Sequence, residues 1–233
     1  MNKSENRIVL LAVLFILVIC QEPFASSLKS GKTVKLPKPS IDDTRSLGTS
    51  INSMHSVRRY KERQLTVGDI SNMLWAAGGT KVDGVTGASR TYPSAGACYP
   101  LEFFLVAGDI EDMNAGVYHY DIVSHDLKEL KTGDMRSDMQ SAAYGQSMLK
   151  NAPAIIVICA VFSRTTGRYG YRGRNYVYLD AGHAGQNIYL MASSLGLATV
   201  AVGAFDSFVL TRILDLPKIY EPIYVFPIGI PLD

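Results

Sequence analysis

Cysteine, tryptophan and histidine are scarce in this chain: its 233 residues carry three Cys, one Trp and four His. No Cys-x-x-Cys or Cys/His grouping occurs, so the usual signature of a bound metal is missing. The Gly-x-Ser-x-Gly elbow of many hydrolases is missing too, which argues against that class. Charge is sparse and balanced, at 19% of residues and a formal net +2. Lys and Arg are scattered singly or in pairs such as Arg58-Arg59. Nucleic-acid binders normally concentrate basic residues on one face, so no nucleic-acid partner is expected. No block of like charge reads as a solvated tail, and no internal repeat is visible.

Hydrophobic residues make up 47%, enough for one sizeable core. At the N-terminus Lys3 and Arg7 precede an unbroken apolar run of 13 residues, Ile8 to Cys20, with small residues following at Ala25, Ser26 and Ser27. That order is the pattern of a signal peptide. The run spans roughly 20 Å as a helix, against roughly 30 Å for a bilayer core. Residues 1–27 are therefore expected to direct export and to be cleaved, with an uncleaved membrane anchor as the alternative. Bulky Ile19 argues against a lipid on Cys20. Export permits a disulfide, for which Cys98 and Cys159 are the remaining pair. Cys159 sits in the apolar run Ala154 to Val161 and reads instead as a small buried residue.

Residues 28–48 are mostly polar, with Lys29, Lys32, Lys35, Lys38, Pro37 and Pro39, and read as an extended lead-in without its own core. The folded domain is expected over 49–233. Helices are predicted at Val67 to Ala77, Ser137 to Gln146, Asn175 to Leu195 and Ser207 to Leu214. Thr66 and Asp69 cap the first of these, and Gly78-Gly79 is expected to close it in a left-handed conformation. A loop with Gly84 and Gly87 should follow. Strands are predicted at Leu101 to Ala107, Ala154 to Val161, Leu197 to Val202 and Tyr220 to Ile228, with a hairpin of Gly116 to Asp121 and Asp126 to Leu130. His119 and His125 read as exposed residues of that hairpin, and Ser207, or Asp206 before it, as the cap of the last helix. The pattern implies an α+β fold with helices packed on a mixed sheet. The middle of the longest helix, Ala181-Gly182-His183-Ala184-Gly185, is unusually small. Each glycine there costs about 1 kcal/mol relative to alanine, which close packing would have to offset.

Four segments carry groups suited to chemistry. His55-Ser56-Val57-Arg58-Arg59-Tyr60 offers a hydroxyl and guanidinium groups fit for phosphate oxygens. In Arg90 to Glu102, Pro93 and Pro100 bracket small residues that let a flat ligand approach the backbone. Val200 to Asp206 leaves a strand and enters a helix, where backbone N–H groups are free to donate. Arg168 to Tyr176 alternates arginine with tyrosine and glycine, which suits cation–π pairing. Each segment also has a plain structural reading as a turn, loop or cap.

Together and in this order the segments resemble the nitroreductase superfamily of flavoproteins, and within it the SagB/ThcOx branch of azoline dehydrogenases. The motifs that carry the resemblance are Tyr92 to Ala97 with Tyr99 to Glu102, Asp180 to Asn187, and Val202 to Asp206, and the likeness runs from about Ile51 to Pro231. The resemblance implies an intertwined homodimer with FMN at each subunit interface. His55, Ser56 and Arg58 would hold the phosphate and ribityl chain. Pro93, Ser94, Ala95 and Ala97 of the other subunit would line the ring, and Gly203 and Ala204 would donate backbone N–H groups near its reactive nitrogen. The small stretch of the long helix would then pack against its symmetry mate. Arg168-Tyr169 stand where azoline dehydrogenases carry a Lys-Tyr pair implicated in proton removal, so both are the catalytic candidates. Arginine stays protonated and is a poor base. Met54-His55 replaces arginines of many relatives, and the stretch Gly229 to Asp233 lacks their basic residues, a gap that Arg172 or Arg174 would fill.

The activity so implied is a two-step one: a reductant, NAD(P)H or a membrane electron donor, gives hydride to FMN and leaves, and a small organic acceptor then takes the electrons. The alternative is a non-catalytic protein that uses the same dimeric fold to bind flavin or another planar ligand.

Overall fold

The structure, a computed structural model, describes residue 28 and residues 31–40, 45–83 and 87–232. The expected signal peptide, residues 1–27, lies outside the described residues. Among the described residues no helix is long and apolar enough to cross a membrane.

The core is one seven-stranded sheet. In chain order its strands are β1 (Thr33–Lys35), β4 (Leu101–Ala107), β5 (Gly116–Asp121), β6 (Asp126–Thr132), β7 (Ala154–Ala160), β8 (Ala198–Thr199) and β9 (Glu221–Gly229). β2 (Thr80–Asp83) and β3 (Gly87–Arg90) form a separate antiparallel hairpin where an open loop was expected. The large sheet runs β1-β6-β5-β4-β7-β9-β8. Its ladders are antiparallel, and a single parallel bridge, Ser56 to Thr199, extends it beyond β8.

Every residue of β7 is buried, and side chains alternate across a strand. Ala154, Ile156, Ile158 and Ala160 join one core, while Ile155, Val157 and Cys159 join the other. The first core is closed by α2 (Val67–Gly78) and the long α6 (Gly173–Ser194); the second by α3 (Arg136–Ala142), α4 (Met148–Asn151) and α7 (Ser207–Ile213). Two further helices, α1 (Leu47–Ser53) and α5 (Phe162–Tyr169), lie before α2 and before α6. Cys98 and Cys159 are buried free thiols.

Several local expectations change. The lead-in is extended, but its strand β1 pairs with β6, and Ser71 and His125 both bond the Pro37 carbonyl. Gly79 closes α2 at φ −62°, which is not left-handed. The two glycines are needed for space, since a Cβ would overlap Phe103 at position 78 and Trp75 at position 79. α3 stops at Ala142 because Tyr144 and Gly145 turn left-handed. The strand predicted at 197–202 shrinks to Ala198–Thr199, since the Ala201 N–H donates to the Tyr189 hydroxyl rather than to a ladder. Asp206, not Ser207, caps α7. His119 is buried, 2.9 Å from Glu102, and His125 is half-buried, bonded to Ser71 and Tyr120.

Candidate functional site

The first group of predicted residues gathers along the β8 edge. The Val57 N–H donates to the Thr199 carbonyl at 2.9 Å, which lays His55 to Arg58 alongside the sheet. Ser56 meets the Tyr189 hydroxyl at 3.0 Å. Tyr189 also accepts from the Ala201 N–H at 2.8 Å, and between the two hydroxyls either can donate. His55 and Arg58 are exposed. His55 Nδ1 lies 2.9 Å from the Ser53 carbonyl. His55, Arg45, Tyr189 and Thr199 line an open cavity of about 230 Å³, and Thr199 Oγ1 is buried there without a described partner.

The sheet bonds end next to this group. Val202 and Val225 exchange both backbone bonds, at 2.9 and 3.0 Å. Gly203 and Ala204 follow, exposed, and among the described residues neither N–H has an acceptor. Their carbonyl side is tied down, with Gln146 Nε2 donating to the Ala204 carbonyl at 2.9 Å and the Asp206 N–H to Ala142 at 2.8 Å. A Cβ at Gly203 would meet only Tyr224, at 3.8 Å. Packing among the described residues thus gives no reason for a glycine at 203.

The second group is the loop from Pro93 to Tyr99. Ser94 Oγ donates to Asp180 at 2.6 Å and accepts from the Tyr99 N–H at 2.9 Å, while the Ala95 N–H points at Asp180 at 3.3 Å. Pro93, Gly96 and Ala97 are exposed. Arg168 donates to the Gly96 carbonyl at 2.9 Å, and a Cβ on Gly96 would overlap the Tyr169 hydroxyl. The two catalytic candidates therefore pack on this loop, with Arg168 also 5.5 Å from the Tyr169 ring centre. Arg172 is exposed in a turn before α6. Arg174 is occupied, 4.0 Å from the Phe162 ring and 3.6 Å from Glu221.

The two groups do not meet within one chain. Asp180 anchors the second and Tyr189 the first, nine positions apart on α6. At 3.6 residues per turn this puts them on opposite faces, about 13 Å apart along the axis.

Sequence reasoning missed three contributors. Tyr189 and Asp180 act through tertiary contacts that no local motif displays, although Asp180 opens the recognised Asp180 to Asn187 stretch. In the same stretch Asn187 Nδ2 donates to the carbonyls of Ala76 and Thr91, at 3.1 and 3.0 Å. The third is a buried charge cluster: Glu102 receives Arg164 at 2.6 Å and His119 at 2.9 Å, and Arg164 also donates to the Tyr99 carbonyl at 3.1 Å. Burial pushes the Glu102 carboxyl up, but the His119 bond and the Arg164 charge outweigh it and hold it below its ordinary range.

The arrangement of an antiparallel sheet between helix layers has counterparts among known proteins. The Nitroreductase family model matches residues 51–230. A nitroreductase-like protein of Methanocaldococcus jannaschii is 36% identical over 200 residues, covering 85% of this chain and 98% of its own length. The structure of a nitroreductase-like protein from Ralstonia eutropha JMP134 superimposes with a TM-score of 0.75 at 26% identity, covering 88% of this chain and 92% of that one. The Escherichia coli microcin B17-processing protein McbC is 36% identical over 126 residues, 52% of this chain and 46% of McbC. A chain of the E. coli microcin synthetase complex has a TM-score of 0.65 at 25% identity, with 91% and 83% of the two chains covered. The chain belongs to the nitroreductase family. It is an oxidoreductase of that family, with a further likeness to the microcin-processing protein over about half of each chain.

Proposed function

We propose that this protein is an FMN-dependent oxidoreductase that works as a homodimer. Each flavin would lie between the His55 to Arg58 and Gly203-Ala204 group of one subunit and the Pro93 to Ala97 loop of the other. The observation that carries this reading is the placement of these groups on opposite faces of α6, where a second copy of the chain can close what one copy leaves apart. The residues fit the cofactor. Ser56 is exposed and offers a hydroxyl, and Arg58 offers a guanidinium suited to phosphate. Among the described residues the Gly203 and Ala204 N–H groups have no acceptor, and a Cβ at Gly203 would meet only Tyr224, at 3.8 Å.

FMN supplies hydride or electron transfer between a reductant and a small organic acceptor in two steps. Ser56 and Arg58, with His55 beside them, would hold its phosphate and ribityl chain. The N–H groups of Gly203 and Ala204 would stabilise negative charge on the ring, and Pro93, Ser94, Ala95 and Ala97 would shield it from water. Tyr169 is the side chain available for proton transfer at this loop. Arg168 donates to the Gly96 carbonyl, and since arginine is a poor base it would fix the loop rather than remove protons. Nitroaromatics, quinones and peptide heterocycles all suit such a site. With export by residues 1–27, the reductant is NAD(P)H or a membrane electron donor.

The visible spectrum of the purified protein tests this directly. Bound FMN, equimolar with subunits and identified after release, supports it. A colourless protein that takes up no added FMN overturns it and favours a non-catalytic planar-ligand role.

A further inference from the structure

We propose that Asp180 is a positioning residue of this site: its carboxylate holds the Ser94 to Tyr99 loop in the shape that meets the flavin. The inference rests on the FMN reading above. The loop is conformationally costly. Gly96, Ala97 and Tyr99 have φ of 59°, 54° and 44°, and left-handed backbone is unfavourable for residues with a Cβ. Its own bonds are few, from Ala97 N–H to the Ser94 carbonyl at 3.0 Å and from Cys98 N–H to the Ala95 carbonyl at 3.2 Å. Side chains supply the rest, Ser94 from within the loop and others from α5 and α6.

Asp180 is the central one. It is 3% exposed, and each oxygen meets one donor of the loop: Oδ2 takes the Ser94 hydroxyl at 2.6 Å and Oδ1 faces the Ala95 N–H at 3.3 Å. Ser94 Oγ passes the restraint on by accepting the Tyr99 N–H. One carboxylate thus fixes both ends of the left-handed segment. Arg168 and Arg164 hold the carbonyls of Gly96 and Tyr99 from the other side. The loop's carbonyls are drawn towards α5, and the small surface of Pro93, Gly96 and Ala97 is left outward.

A carboxylate suits the position because its two oxygens accept from the Ser94 hydroxyl and the Ala95 N–H together. An asparagine would present one acceptor and one NH2, so the Ser94 hydroxyl would have to turn from donor to acceptor and its short bond to a charged oxygen would be lost. Keeping a carboxylate there is not free: burial pushes the Asp180 carboxyl above its ordinary range, against the hydrogen bonds from Ser94 and Ala95 and the nearby His183. Val177, Ala181 and Ala184 do the apolar packing of this part of α6, so the polar contacts of Asp180 are spent on the loop.

The test compares Asp180→Asn, Ser94→Ala, Ser94→Thr and the Asp180→Asn/Ser94→Ala double variant in the full chain. FMN affinity is measured by flavin fluorescence titration, the flavin midpoint potential by spectroelectrochemistry, and stability by thermal unfolding without flavin. Loss of a hydrogen bond to a charged group should weaken FMN binding about ten-fold or more in Asp180→Asn and in Ser94→Ala. The midpoint potential should shift in both. The double variant should be little worse than either single one, because the two residues act in series. Ser94→Thr, which keeps the hydroxyl, should recover most of the affinity that Ser94→Ala loses. Variants that melt earlier yet bind FMN with unaltered affinity and potential would overturn the proposal, leaving Asp180 a purely structural residue. If Asp180→Asn does not fold, Ser94→Ala alone decides by the same measures. An unaltered parent protein that takes up no FMN overturns the reading beneath the proposal, and the proposal with it.

Discussion

Two glycines three positions apart on α6 should respond oppositely to the same substitution. Each, replaced by alanine, gains about 1 kcal/mol of helix propensity. At Gly185 the new methyl would lie 2.9 Å from Cζ of Phe226, whose ring is wholly buried. Overpacking of that kind costs about 1–3 kcal/mol, so Gly185→Ala should be net destabilising. At Gly182 nothing stands within 4 Å of the built Cβ. A lone chain should therefore gain the full increment, roughly 2–4 °C in melting temperature for a domain of this size. The face that Gly182 shares exposes two large side chains beside the polar Asn175 and Gln186: Tyr178 is 49% and Leu179 61% exposed. If this face packs against its symmetry mate, the alanine separates the helices, the gain vanishes and association weakens. Thermal unfolding with sedimentation equilibrium on both variants reads the two effects. A Gly182→Ala protein that melts higher and associates as tightly as the parent would refute the close helix pairing.

Other expectations follow from single contacts. Asn187→Ala removes the donor shared by the Ala76 and Thr91 carbonyls and should cost about 1–3 kcal/mol in denaturant unfolding. Arg58→Ala should weaken FMN binding by about one to two decades in a titration, since a hydrogen bond to a charged group contributes roughly 1.5–3 kcal/mol. Glu102 is held below its ordinary value of 4.5, so its contribution is present above about pH 4.5 and is lost as pH falls through the lower folded value. Glu102→Gln should then reduce stability at pH 7 and flatten the acid limb of a stability–pH curve.

What the sequence made legible depended on how local the cause was. The Thr66/Asp69 capping box announces α2, and the unbroken apolar run of β7 announces a strand buried on both faces. α5 gave no such signal, because Phe162 and Thr165 are its buried residues and arginine, threonine and glycine fill the remainder. β1 is a three-residue edge strand bearing Lys35, and its sequence is that of a loop. His119 looked exposed because it follows the alternation of a hairpin, yet β5 lies inside the sheet and Glu102 meets it from β4. The site divides in the same way. His55 to Arg58 displays groups suited to phosphate, but its residue types alone fit a solvated surface turn better, and only the family resemblance gives it that role. The roles of Asp180 and Tyr189 arise from residues up to 133 positions away, and neither carries a local signature.

The division of the site across α6 has a thermodynamic consequence. If one flavin needs the β8 edge of one subunit and the Pro93 to Ala97 loop of another, FMN binds the dimer better than the single chain. Linkage then requires that FMN tighten association by the same factor by which association tightens FMN. Apparent FMN affinity should fall as the protein is diluted through its dimer dissociation range, and added FMN should move that range to lower concentration. Gly182→Leu gives the sharper form of the test. Its side chain would stand on the outer face of α6, while the groups proposed to hold FMN stay intact. Loss of both dimer and flavin in that variant, with a single chain that still folds, is the expected result. A monomeric Gly182→Leu protein that binds FMN as well as the parent would mean that one chain completes the site alone, against the geometry of Asp180 and Tyr189.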